Sequence, residues 1–304
     1  MDSPRPVCRP SELLAAPREV VLRVPVFSAQ LGLRRWCGVW LPSDFTPARR
    51  YPVVYLFRGH HTEWFNPTED ASRQTPFAEQ VGQAIAAQEL PPMVLISPCF
   101  GSDDRKFHTV AADWFAAHKG PDAPGMGLGR YETHFIEEFM PTLEEGLQLE
   151  EPSRIAIGFS LGGLNAFIIA FRHPGLFREV AAYDGSFYRD PLGGRDGILS
   201  HPMFDPVFDK PRVSTQVKPH SPVWLARNLP YQQLERARYY LQSGPASSEP
   251  HDANYERTRA LIEALASRNL PNQFQLEVRD GSHNWFIADR FAMQVLRHIF
   301  KPAA

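Results

Sequence analysis

The stretch "RIAIGFSLGGLNAF", residues 154 to 167, sets a short apolar run against a serine fenced by glycines, with an aliphatic, helix-like segment directly behind it. Strand-type patterning gives way to helix-type spacing within a few residues. A turn that tight holds the serine in a strained backbone conformation, and the residues two positions to either side need almost no side chain if strand and helix are to pass closely. Gly158 and Gly162 meet that need, and Gly163 lets the helix pack closely on a sheet. The chain is therefore expected to contain a strand-turn-helix unit with Ser160 at its apex. That context separates a working G-x-S-x-G from a chance match.

The rest of the chain supplies a sheet for this unit. Segments 20–27, 34–42, 51–58, 93–98, 153–159, 179–184, 236–243 and 273–279 are short, rich in Val, Ile, Tyr and Phe, and bounded by Pro, Gly or Asp, as strands are. The first three follow one another closely and predict an antiparallel start. The later ones alternate with 77–88, 131–147, 161–173, 254–268 and 285–300, where apolar residues recur three or four apart; Phe135, Phe139, Leu143 and Leu147 form one such stripe. The expected fold is α/β: a mostly parallel sheet of roughly eight strands with helices on both faces and ligands at the carboxyl ends of the strands. With 304 residues, 43% of them hydrophobic, residues 1–304 can form a single domain. Segments 99–130 and 185–235 are read as loop insertions that line the active site as a partial lid.

Charge and composition exclude several functions. A formal net charge of -2, with acidic and basic residues interspersed, leaves no electrostatic footprint for nucleic acid or an anionic membrane. Residues 1–6 lack the pattern of a signal peptide, and no apolar run approaches membrane-spanning length, so a cytoplasmic location is expected. Cys8, Cys37 and Cys99 have no CxxC spacing and read as structural thiols. The glycines at 125–129 lack GxGxxG spacing and follow a proline instead of a strand, which makes them a flexible loop. No cofactor is expected.

A serine hydroxyl attacks an ester only with a histidine base beside it and a carboxylate to orient that base. In the order serine, acid, histidine, the base lies on the loop after the last strand, where "VRDGSHNWF" (278–286) supplies His283. The acid follows the preceding strand, where "GPASSEPHDANYE" (244–256) offers Glu249 and, as the alternative, Asp252, which can instead cap the next helix. Leu161 N–H, at the head of a helix, points where an oxyanion would form; the second donor is expected from His60 N–H, after the third strand. His60, His61 and Glu63 also invite a metal reading, set aside because neighbouring histidines normally point apart and no HExxH helix is present. His61, Trp64, Trp114 and Trp285 are expected to line the substrate pocket.

At this point the chain resembles the putative-esterase family of α/β-hydrolases, with esterase D, feruloyl esterases, enterochelin esterases and mycolyltransferases among its members. "YPVVYLFRGHHTEW" is similar to that family's third strand and oxyanion loop, and "YETHFIEEFMPTLEE" to the helix before the serine. "GFSLGGLNAFIIAFRHPGLFREVAAYDGSF" is similar to its serine turn, following helix and next strand, and "DGSHNWF" to its histidine loop. The resemblance implies the same assignments for Ser160, His283, Leu161 and His60, and places the acid within 247–252, where Glu-Pro resembles the enterochelin-esterase pattern and favours Glu249. The chain departs from the family at Arg58, where many members carry histidine, and at Ile287-Ala288, where a second tryptophan is common. The expected function is a serine carboxylic-ester hydrolase with a small-molecule ester, lactone, aromatic ester or sugar ester as substrate. An acyltransferase with the same triad and a non-catalytic binding protein of this fold are the alternatives.

Overall fold

The computed structural model describes residues 6–120, 122–149, 153–188, 198–245, 253–270, 273–277 and 281–301. Its frame is one eight-stranded sheet in the order β1-β2-β4-β3-β5-β6-β7-β8. The strands are β1 Val21–Ser28, β2 Leu33–Trp40, β3 Val53–Phe57, β4 Val94–Ser97, β5 Arg154–Phe159, β6 Glu179–Tyr183, β7 Arg238–Ser243 and β8 Gln273–Glu277. All eight fall within about a residue or two of the predicted segments. β2 pairs antiparallel with β1 and with β4; every pairing from β4 through β3 to β8 is parallel.

The burial pattern follows from position in the sheet. β1, at the antiparallel end, alternates buried and partly exposed residues, whereas β3, β4 and β6 are buried throughout, as strands covered on both faces must be. Alternate residues of β3 then divide between two cores. Val53, Tyr55 and Phe57 face one with Phe135, Phe139, Leu164 and Phe167, and Val54 and Leu56 face the other with Phe77, Val81, Phe291 and Leu296.

The helices carry those residues. On the second face lie α1 Phe77–Ala86 and, at the chain's end, α10 Trp285–Ile299; on the first lie α2 Tyr131–His134, α3 Met140–Gly146, α4 Leu161–Arg172 and α9 Ala253–Ala266. The expected single helix over 131–147 is interrupted by a π-helical segment, Phe135–Phe139. Pro141 gives the reason: it has no N–H to donate and crowds the carbonyl four residues back, which a wider turn relieves. The predicted stripe survives, with Phe135, Phe139, Leu143 and Leu147 all buried.

Segment 185–235, expected to be loop, is largely helical where it is described: α5 Asp205–Phe208, α6 Ser214–Val217, α7 Pro222–Asn228 and α8 Tyr231–Leu234. Proline opens α7, preceded by Ser221, whose hydroxyl accepts from Trp224 N–H. The two long segments hold each other, since Phe115 N–H and Ala116 N–H donate to the carbonyls of Val207 and Pro206. Among the described residues, no helix is long and apolar enough to cross a membrane.

Candidate active site

Parallel register brings three strand ends into one row. Phe57 pairs with Gly158, and Phe159 with Tyr183. The residues that follow these strands, Arg58, Ser160 and Asp184, therefore stand side by side at the carboxyl edge of the sheet.

Ser160 has φ +56° and ψ -119°, a conformation that costs an ordinary residue on the order of 1–3 kcal/mol and persists only where the surroundings impose it. The imposition is visible atom by atom. A Cβ on Gly158 would lie 2.2 Å from the Gly162 carbonyl oxygen, and one on Gly162 would lie 1.9 Å from that of Phe57. Strand and helix cross here with no room for a methyl group. Gly163 meets Ala182 and Gly185 on the neighbouring strand and turn, the close helix-sheet packing expected of it. Ser160 N–H donates to the Tyr183 carbonyl and Ser186 N–H to the Ser160 carbonyl, fixing the turn to the end of β6. Leu161 opens α4, so its N–H is one of those a helix leaves without an intrahelical acceptor.

His283 lies beside this turn. Its ring sits 4.7 Å, centroid to centroid, from the ring of Phe159, and the Tyr183 hydroxyl donates to the Ser282 carbonyl at 2.8 Å. Asn284 caps α10 by accepting from Ile287 N–H. His283 Nδ1 is hydrogen-bonded to the Asp184 carboxylate. Asp184 is 3% exposed and occupies the left-handed region at φ +50°, which turns its side chain out of the strand direction. Glu249 and Asp252 lie outside the described residues. Asp184 is the carboxylate that the sequence reading passed over; its signal was an acid at a strand end followed by glycine, in "AAYDGSF".

The expected second oxyanion donor is engaged. His60 N–H donates to Glu63 Oε1 at 2.6 Å, and the other Glu63 oxygen is 2.9 Å from Arg58 Nε. Arg58 also lies over the rings of Phe159 and Trp285. The arginine that departs from the family pattern thus holds a carboxylate against the oxyanion loop.

The aromatic residues expected at the pocket are buried side chains with partners inside the protein. Trp64 is 1% exposed and Trp285 3%; the two rings meet edge to face, and Trp64 Nε1 donates to the Phe57 carbonyl. Trp114 packs on Tyr131 and donates to Thr109 Oγ1, and His61 is also buried. The three tryptophans brace the edge of the sheet because their rings find aromatic neighbours on the inner side of their turns.

Arg73, with its side chain wholly buried, holds the brace together. It binds both oxygens of Asp289 on α10, at 2.6 and 2.8 Å, and donates to the carbonyls of Glu63 and Asn66. Asp289→Asn leaves that guanidinium buried without a counter-charge and is expected to cost about 3–5 kcal/mol of stability. Urea denaturation measures it; a loss below about 1 kcal/mol would mean the pair is solvated.

Burial, followed by the charges of Arg105 and Arg35, pushes His60 down to about 3. Burial also lowers His108, His134 and His220. A histidine lowered on folding contributes stability that is present above its unfolded value, near pH 6.5, and is lost as pH falls toward the folded value. Tm is therefore expected to hold near neutrality and decline below about pH 6.5, with a shallower decline in His60→Gln. A Tm unchanged from pH 7 to pH 4 would contradict this.

Residues 28–294 match the model of the family described as "Putative esterase". Esterase Rv1288 of Mycobacterium tuberculosis (strain ATCC 25618 / H37Rv) is 27% identical over 202 residues, covering 62% of this chain and 40% of that protein. Feruloyl esterase C of Emericella nidulans is 30% identical over 115 residues, covering 37% of this chain and 42% of that protein. These matches span about two-fifths of the relatives' own lengths. A solved structure of a ferulic acid esterase superposes with a TM-score of 0.66 at 21% identity, covering 92% of this chain and 96% of that one. At that identity the likeness bears on architecture, and it agrees with the expected α/β-hydrolase fold.

Proposed function

Because the chain belongs to the putative-esterase family, we propose that it is a serine carboxylic-ester hydrolase working through an acyl-enzyme. Ser160 Oγ attacks the ester carbonyl while His283 takes the hydroxyl proton. The tetrahedral intermediate collapses as His283 returns the proton to the departing alcohol. Water, deprotonated in turn by His283, then attacks the acyl carbon, and the bond to Ser160 breaks as His283 returns that proton to the Ser160 Oγ. The observation that carries this reading is the left-handed φ of Ser160 between two glycines that tolerate no Cβ; strain of this kind concentrates where a side chain must be presented for chemistry.

Asp184 is the positioning carboxylate in this reading. Its bond to His283 Nδ1 leaves Nε2 to face the serine and supports the imidazolium as it forms. Leu161 N–H and His60 N–H stabilise the oxyanion. For His60 to do so, Glu63 must release its N–H, and Arg58 remains as partner for the displaced carboxylate. The substrates are small-molecule esters, with feruloyl-type aromatic esters a first choice because relatives carry that name.

The test is turnover of p-nitrophenyl acetate and butyrate and of a methyl feruloyl-type ester by the purified protein. Saturable hydrolysis of at least one is expected. A rate equal to buffer across the whole panel would overturn the reading.

A further inference from the structure

The paired histidines after β3 do not point apart. Their rings lie 4.2 Å from each other, tilted by 40°, and Cys99, in the loop after the adjacent strand β4, completes a group. One ligand atom from each of His60, His61 and Cys99 lies within 4.8 Å of the others, and all three residues are buried. From sequence alone the metal reading of His60, His61 and Glu63 is set aside because neighbouring histidines normally point apart and no HExxH helix is present, and Cys99 is not among its candidate ligands. The sheet supplies that ligand by placing β4 next to β3.

We propose that His60, His61 and Cys99 form a binding site for a thiophilic metal cation, of the class of Zn2+ or Cu+. Two imidazoles and a thiolate make a soft, nitrogen-sulfur donor set, which selects these ions over Mg2+ or Ca2+. Metal-ligand bonds of about 2.0–2.3 Å put donor atoms roughly 3.3–3.8 Å apart in a tetrahedral site, so side-chain rotations of about an ångström would close the group on an ion. His60 Nδ1 is 2.7 Å from Thr62 Oγ1; in the tautomer that donates from Nδ1 to that hydroxyl, the contact orients the ring and leaves Nε2 for the metal. Among the described residues, the Cys99 thiol donates in a long contact, 3.4 Å, to the Gly101 carbonyl. Binding breaks that contact, forms the sulfur-metal bond and releases the thiol proton to solvent.

The surroundings bear on the choice of ion. The buried Arg35 guanidinium donates to the carbonyls of Cys99 and Gly101, so a positive charge already lies close by. Cu+ with a thiolate adds no net charge, whereas Zn2+ adds one. The expected consequence is a clamp between the loops after β3 and β4, on the loop that carries His60 N–H.

The experiment uses purified, metal-stripped, reduced protein. Zn2+ is titrated against a chromogenic chelator, and Cu+ against bicinchoninate under anaerobic conditions. At least one ion is expected to bind at one equivalent with Kd below about 1 μM, Cu+ the tighter of the two. Cys99→Ser and His61→Ala should each weaken it by at least tenfold, and Cys8→Ser should leave it unchanged. Far-ultraviolet circular dichroism and Tm of the apo variants check that they fold. Weak or absent binding of both ions to the wild type would overturn the proposal, as would undiminished binding to folded Cys99→Ser. Hydrolysis by the metal-free protein is measured separately, so failure of the metal site leaves the esterase reading standing on its own test.

Discussion

Ser160→Ala is expected to lower kcat for a short p-nitrophenyl ester by about 10^4- to 10^6-fold while KM changes little. The alanine has no atom to form the acyl bond, so any residual rate reflects only the oxyanion donors acting on water. Removing the side chain should cost the fold little, since it is Gly158 and Gly162, and not the serine hydroxyl, that let strand and helix cross. A variant that melts near the wild type but has lost turnover would therefore report chemistry. A variant retaining more than about a tenth of the wild-type kcat would require another nucleophile.

Asp184→Asn is expected to lower kcat by about 10^3- to 10^4-fold, again with little change in KM. The amide keeps the shape and a hydrogen bond to His283 but loses the charge that supports the imidazolium, and it favours the tautomer that presents the wrong nitrogen to Ser160. Because Asp184 acts through His283, its variant should also change the pH dependence of kcat/KM, which a merely structural residue would not. Glu249→Gln and Asp252→Asn provide the contrast and should each remain within a few-fold of wild type. A collapse of kcat in Glu249→Gln, with Asp184→Asn nearly unaffected, would return the role to the acid favoured by the order of the chain.

How much of this was legible in the sequence depended on what each signal encodes. The eight strands, the four long helices α1, α4, α9 and α10, and the buried stripe of 131–147 were readable because burial on one or both faces imposes a period on the residues themselves, whereas the π-helical break within 131–147 was not. The Ser160 turn was readable because its geometry admits only glycine at 158 and 162, and the structure gives the clashes a Cβ would make there. Helices α5 to α8 were not readable. They run four to seven residues, too short for a periodic face, in a stretch whose prolines resemble breakers even where Pro222 opens a helix.

Asp184 escaped for a different reason. The ordering rule directs attention to the loop after β7, the strand before the last, whereas the bond to His283 comes from the end of β6, one strand from Ser160. Sequence order does not report which strand ends share an edge; register does. The same lack of spatial information leaves open which way the aromatic residues face. A tryptophan in a loop at the sheet edge can face the cavity or the core, and Trp64 and Trp285 face each other in the core. It also hid Cys99 from His60 and His61, which are neighbours only because β4 lies beside β3.

The central claim is that Ser160 is a nucleophile activated by His283. It is tested most directly by treating the native protein with a fluorophosphonate probe and locating the adduct by peptide mass spectrometry. A single stoichiometric adduct on Ser160 is expected, absent from Ser160→Ala and from heat-unfolded protein, and formed much more slowly in a His283→Gln variant. Equal labelling of wild type and Ser160→Ala, or an adduct on another residue, would contradict the account.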